Sequence, residues 1–120
     1  MVAYNAVQLG KQAEENARAY LEAQGLRWLK SNHHSPHGEI DLIMQDRDHI
    51  VFVEVRLRSR TDYGNALESI GRSKINKLLK TATLFLQKNG WLNKVNSRFD
   101  VVVIHPVAGK LQLEWLKNVF

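Results

Sequence analysis

A chain of 120 residues suits one domain and is long enough to bury a core without staples. With 44% hydrophobic and 24% charged residues it has the balance of a folded protein, and the absence of cysteine excludes a disulfide framework and any thiolate metal site. The net charge of +5 at pH 7 favours anionic partners over cationic ones.

The opening MVAYNAVQLGKQAEENARAY has no basic n-region and no apolar h-region, so no signal peptide is expected. No apolar run approaches the ~20 residues that span a bilayer, and a cytoplasmic location without membrane contact is expected. Val7 to Gln24 predicts a helix: Leu9, Ala13, Ala17, Tyr20 and Leu21 recur at helical spacing, and Gly25 marks the stop. Glu14 flanks that stripe and by spacing alone reads as a surface residue. Leu26 to Lys30 predicts a short strand and Ser31 to Gly38 a polar loop. The loop histidines His33, His34 and His37 lack a fourth ligand nearby and share no helical face, so a zinc site is not expected there.

Glu39 to Gln45 and Ile50 to Leu57 predict two strands joined by Asp46 to His49. The second, IVFVEVRL, is apolar on both faces at its start, as a central strand requires. A four-residue connection pairs Gln45 with Ile50, which sets Asp41 opposite Glu54 and Glu39 opposite Arg56 on one face. Two carboxylates ~5 Å apart repel by roughly 3 kcal/mol at an effective dielectric of about 20. Such a pair either shares a proton or holds a cation, and Mg²⁺ (or Mn²⁺) is the hard ion that suits oxygen ligands. Glu39 and Asp41 as the wet face of an edge strand is the plainer alternative. It accounts poorly for Glu54, a charge inside VFVEV.

Ser59 to Gly71 reads mostly as a loop. The strongest helix follows, with Ile75, Leu78, Leu79, Ala82, Phe85 and Leu86 on one stripe and Gly90 as the stop. Between Arg56 and Lys80, seven basic residues stand against Asp62 and Glu68, which accounts for the whole charge excess of +5. Arg58, Arg60, Arg72, Lys74 and Lys77 are the candidate contacts to a phosphate backbone, although a solvated face would look the same. Lys74 falls in the first turn of its helix, where the dipole disfavours a cation. A bound anion, or a carboxylate of the cluster, would resolve that conflict. Arg98 to His105 and Leu111 to Leu116 predict the last two strands. The order α-β-β-β-α-β-β implies a mixed sheet with flanking helices, one α/β domain over 1–120.

The blocks GKQAEENARAYLEAQG, HGEIDLIMQD, IVFVEVRLRS and SRFDVVVI, in this order and spacing, resemble the YraN-type family of uncharacterised proteins over nearly the whole chain. That family looks like a branch of the PD-(D/E)XK restriction-endonuclease-like superfamily, similar to Holliday-junction resolvases. The resemblance implies a Mg²⁺-dependent endonuclease acting on structured or branched DNA or RNA. It makes Asp41 and Glu54 the acidic motif residues and metal ligands, the Val55 carbonyl a further ligand, and Glu14 the helical glutamate of several superfamily branches. Arg56 stands where the motif has lysine. Arginine stays protonated and so does not serve as a general base, but it can hold a phosphate, and Lys74 is placed to supply an ammonium instead. Two other readings stand beside the nuclease. One is a non-catalytic nucleic-acid-binding protein. The other is an interaction module, using a strand edge and LQLEWLKNVF for a partner or a homodimer.

Overall fold

The computed structural model describes residues 6–58 and 70–120. The elements are α1 (Ala6–Ala23), β1 (Arg27–Ser35), β2 (Gly38–Asp46), β3 (His49–Leu57), α2 (Arg72–Lys88), β4 (Asn96–Val107) and β5 (Lys110–Leu116), the predicted order. They build one five-stranded sheet in which every strand lies beside its sequence neighbours. β3 and β4 are parallel, joined through α2, and every other pair is antiparallel.

β3 is central because its first half is apolar on both faces. Val51 and Val53 pack under α1 with Leu42, Met44, Val102 and Ile104, against Ala13, Ala17 and Leu21. Ile50 and Phe52 pack under α2 with Ile43 and Phe99, against Leu78, Ala82, Phe85 and Leu86. At about 25 cal/mol per Å² of apolar surface, these two layers supply the main stabilisation of the fold. Both predicted helical stripes were one residue too wide: Leu9 and Leu79 are each 43% exposed. Nearer the chain end, buried Asp100 accepts from the Trp115 indole and the Asn118 amide and pairs with Arg98, tying the chain after β5 back onto the sheet.

Two connections differ from the sequence reading, and β4 runs two residues further at each end than the predicted Arg98 to His105. The predicted loop from Ser31 is strand as far as Ser35, so His33 and His34 lie on β1 and only His37 in the following turn. The β2–β3 connection is also tighter, since Asp46 pairs with His49 and leaves Arg47 and Asp48 as the turn. The expected Gln45–Ile50 pairing is present, because shortening both sides of a hairpin loop by one residue keeps the register. Most of the predicted loop from Ser59 lies outside the described residues. Among the described residues no helix is long and apolar enough to cross a membrane.

Candidate active site

The site begins where β2 stops being an ordinary strand. Gly38 and Ile40 face α2: a side chain on Gly38 would meet Lys77 and Thr81, and Ile40 packs with Leu78 and Phe85. Regular alternation would send Leu42 and Met44 the same way, but they lie under α1, while Ile43 lies under α2. The alternation therefore breaks between Ile40 and Leu42, at Asp41. The ladder with β3 ends at the same place, its last pair being Leu42 with Val53. A continued ladder would carry Val55 to Ile40. Instead the Val55 amide donates to Asp41 Oδ2 at 2.9 Å. Within a strand the amide and carbonyl of one residue leave on the same side, so the Val55 carbonyl also points toward the gap that β2 vacates.

β1 accommodates the break with a residue of its own. Asn32 lies between the Ser31–Leu42 and His33–Ile40 pairs, across from Asp41, and has φ 52°. Asparagine tolerates the left-handed region better than most residues, which suits it to this position. Its side chain lies beside Glu14, which reaches in from α1 and also stands next to Asp41. Asp41 in turn hydrogen-bonds Glu54. The gap between β2 and β3 thus joins three carboxylates, from α1, β2 and β3.

Burial dominates the electrostatics. Glu54 is 5% exposed, and Lys74 Nζ comes within 2.9 Å of its Oε2, a charge contact whose angles do not make a hydrogen bond. The conflict of a lysine in the first turn of α2 is resolved in this way, by a carboxylate of the cluster. Asp41 is pushed from an ordinary value of 3.8 up to about 9, first by burial and then by its hydrogen bond to Glu54 and that residue's charge; the Val55 amide opposes the shift. Burial likewise raises Glu14, against hydrogen bonds from Asn32 and Asp41. One proton held among close carboxylates follows from their mutual repulsion.

Asp41 and Glu54 line one cleft of about 560 Å³ with Gly38, Glu39, Gly71, Ser73, Lys74 and Lys77. They come from adjacent antiparallel strands, as expected, but beyond the last paired residues rather than within the ladder. The expected Glu39–Arg56 pairing is likewise not part of the ladder; Glu39 lies 3.5 Å from His34. Lys74 and Lys77 are in the cleft, whereas Arg72 lines a separate groove with Ile75, Val119 and Phe120. Arg56 and Arg58 are half-buried at the end of β3, and Arg60 lies outside the described residues. Among the described residues no group of three His, Cys, Asp or Glu side chains is arranged to hold a metal ion. The donor set is therefore two carboxylates and a backbone carbonyl, a set that fits an ion completing its shell with water and phosphate oxygens. The oxygen Oε2 of Glu54, buried without a hydrogen bond, fits the same requirement. Asn32 and Ser73 were missed by sequence reasoning. The tolerance of asparagine for positive φ was the one available signal for Asn32, and nothing marked Ser73.

The family described as "Uncharacterised protein family UPF0102" matches residues 13–104, a span that contains Glu14, Asn32, Asp41, Glu54 and Lys74. The chain belongs to the UPF0102 family. It is 48% identical to a UPF0102 protein of Marinomonas sp. (strain MWYL1), over 92% of this chain and 87% of that one. A UPF0102 protein of Ectopseudomonas mendocina is 46% identical, with 93% of each chain covered. One from Pseudomonas putida is 44% identical over 100% of this chain and 98% of its own length. β5 lies beyond the UPF0102 match and the whole carboxylate cluster lies inside it.

Proposed function

We propose that this UPF0102 protein is a metal-dependent endonuclease that hydrolyses phosphodiester bonds in structured or branched DNA or RNA in the cytoplasm, similar to Holliday-junction resolvases of the PD-(D/E)XK superfamily. The observation that carries this reading is the joining of Glu14, Asp41 and Glu54 at a break in the sheet, opening on a cleft that holds Lys74 and Lys77. A fold selected for stability alone does not collect three carboxylates where one must keep its proton far above the ordinary range.

Asp41, Glu54 and the Val55 carbonyl would hold Mg²⁺ or Mn²⁺, which when bound supplies a water of lowered pKa and charge stabilisation at phosphorus. The remaining work belongs to the chain. Glu14 stands beside Asp41 on the far side of the gap and confines it there. Lys74 stands beside Glu54 and fills the role of the motif lysine from α2, keeping an ammonium at the site that Arg56 does not replace as a base. Lys77 extends the positive wall along which a phosphate backbone would lie. The decisive experiment is cleavage of linear, branched and RNA substrates with Mg²⁺ or Mn²⁺. Activity on at least one substrate should be lost in Asp41→Ala; equal cleavage by both proteins would reject the assignment.

Arg56 favours a second reading, in which the protein binds nucleic acid at this cleft without cutting it. Salt-sensitive binding of DNA or RNA with no cleavage under any metal condition would select that reading.

A further inference from the structure

On the α1 side of the carboxylate cluster lies a second cleft, of about 330 Å³, lined by Lys11, Glu14, Glu15, Arg18, Trp28, Ser31 and Asn32. It adjoins the first at Glu14, which lines this cleft and stands beside Asp41, which lines the other. Its aromatic wall is Trp28, 37% exposed on edge strand β1.

This indole is fixed in orientation. Its Nε1 donates to Ser31 Oγ at 2.9 Å, and the Arg18 guanidinium lies 3.7 Å from the ring centroid. Arg18 is itself held by Glu22 at 2.9 Å. A tryptophan held this way, one face covered by Arg18 and 37% of it still exposed, loses little entropy when a flat ligand stacks on its remaining surface or on the guanidinium plane. The charge of the cleft narrows the ligand. Lys11 and Arg18 are balanced by Glu14 and Glu15, so the cleft does not attract a phosphate. An aromatic plane flanked by a serine hydroxyl and an asparagine amide suits a heterocyclic base.

We propose that the Trp28 cleft receives an unpaired base of the nucleic acid whose backbone enters the cleft at Lys74, and so directs the protein to single-stranded or branched segments over continuous duplex. This rests on the proposed nucleic-acid function and adds to it a substrate preference and a residue that sets it. In duplex the bases are stacked on each other and do not reach the indole.

The test is binding of the full-length protein, in EDTA so that no cleavage intervenes, to three fluorescently labelled DNA probes: a single strand, a blunt duplex of the same sequence, and an abasic strand of equal length. Loss of one stacking platform should weaken single-strand binding of Trp28→Ala roughly tenfold, with Trp28→Phe intermediate and both within about twofold of wild type on the abasic strand and the duplex. Thermal melts of Trp28→Phe, which keeps an aromatic ring, guard against a folding effect. If Trp28→Ala leaves single-strand affinity unchanged, or weakens all three probes alike, the base subsite is wrong while the nucleic-acid function stands. If the wild-type protein binds none of the probes, either in EDTA or with Ca²⁺ in its place, the nucleic-acid function falls and the subsite with it.

Discussion

Lys74 reaches from the first turn of α2 to within 2.9 Å of Glu54 Oε2, placing an ammonium against a carboxylate that is 5% exposed. Removing the lysine takes this ammonium away from the buried carboxylate. Because the ammonium end is itself partly in water, the expected cost for Lys74→Ala is on the order of 2 kcal/mol, below that of a fully buried pair. Adding Glu54→Gln should restore most of the loss. Urea melts of the two single variants and the double variant measure the coupling, and additive effects would show that the contact contributes nothing.

Stability of the metal-free protein should fall as pH rises from about 4 to about 9. Burial, and then Glu54, raise Asp41 to about 9 from 3.8, so the folded chain binds this proton more tightly than the unfolded chain does. The resulting stabilisation is complete below the unfolded value and is lost on approach to the folded one. Glu14, raised by burial, acts in the same sense. Asp41→Asn imitates the protonated side chain and keeps an oxygen for the Val55 amide. It should stabilise the folded protein at pH 8 by an amount on the order of 2 kcal/mol, seen as a higher Tm, and flatten the pH dependence. Melts in EDTA across this range check it; a steeper profile in the variant would contradict the shift.

Metal binding should compete with that proton. In calorimetric titrations with Mg²⁺ at neutral pH, the apparent heat should depend on the ionisation enthalpy of the buffer, and affinity should rise with pH. Mg²⁺ should also raise Tm of the wild type and leave Asp41→Ala unmoved. A melt indifferent to Mg²⁺ and Mn²⁺ in the wild type would remove Asp41, Glu54 and Val55 as ligands.

At Asn32 two substitutions separate backbone from side chain. Asn32→Gly keeps the φ of 52° accessible and loses the side-chain contact with Glu14; Asn32→Ala loses both. The alanine variant should therefore be the less stable by about 1 kcal/mol. Equal stabilities would mean that the left-handed position is not strained for alanine.

Much of the scaffold was legible because burial writes itself into periodicity. IVFVEV announces a strand covered on both sides, and the Gln45–Ile50 register follows from where apolar residues resume after the turn. Ser31 to Ser35 was not legible as strand because an edge strand with one partner needs no apolar alternation, and its residues alternate only between half-buried and exposed. The pair Asp41 and Glu54 was legible from spacing. The break that brings them together was not, because Ile40, Leu42 and Met44 look like one uninterrupted face and only Ile43 hints otherwise. Glu14 read as surface by spacing alone, because its partner Asn32 reaches it from a strand that had looked like a loop.

The interrupted alternation in β2 also governs which changes in length the chain can absorb. Deleting one residue between Gly38 and Asp41 would restore an even pleat, but it would aim either Gly38 or the carboxylate at the wrong helix. Inserting one would carry Ile40 out from beneath Leu78 and Phe85. Length variation among functional relatives should therefore collect in the turns at Pro36 and His37 and at Arg47 and Asp48, leaving the count of residues from Gly38 to Met44 invariant. In this hairpin the number of residues is as much a determinant of the site as their identity.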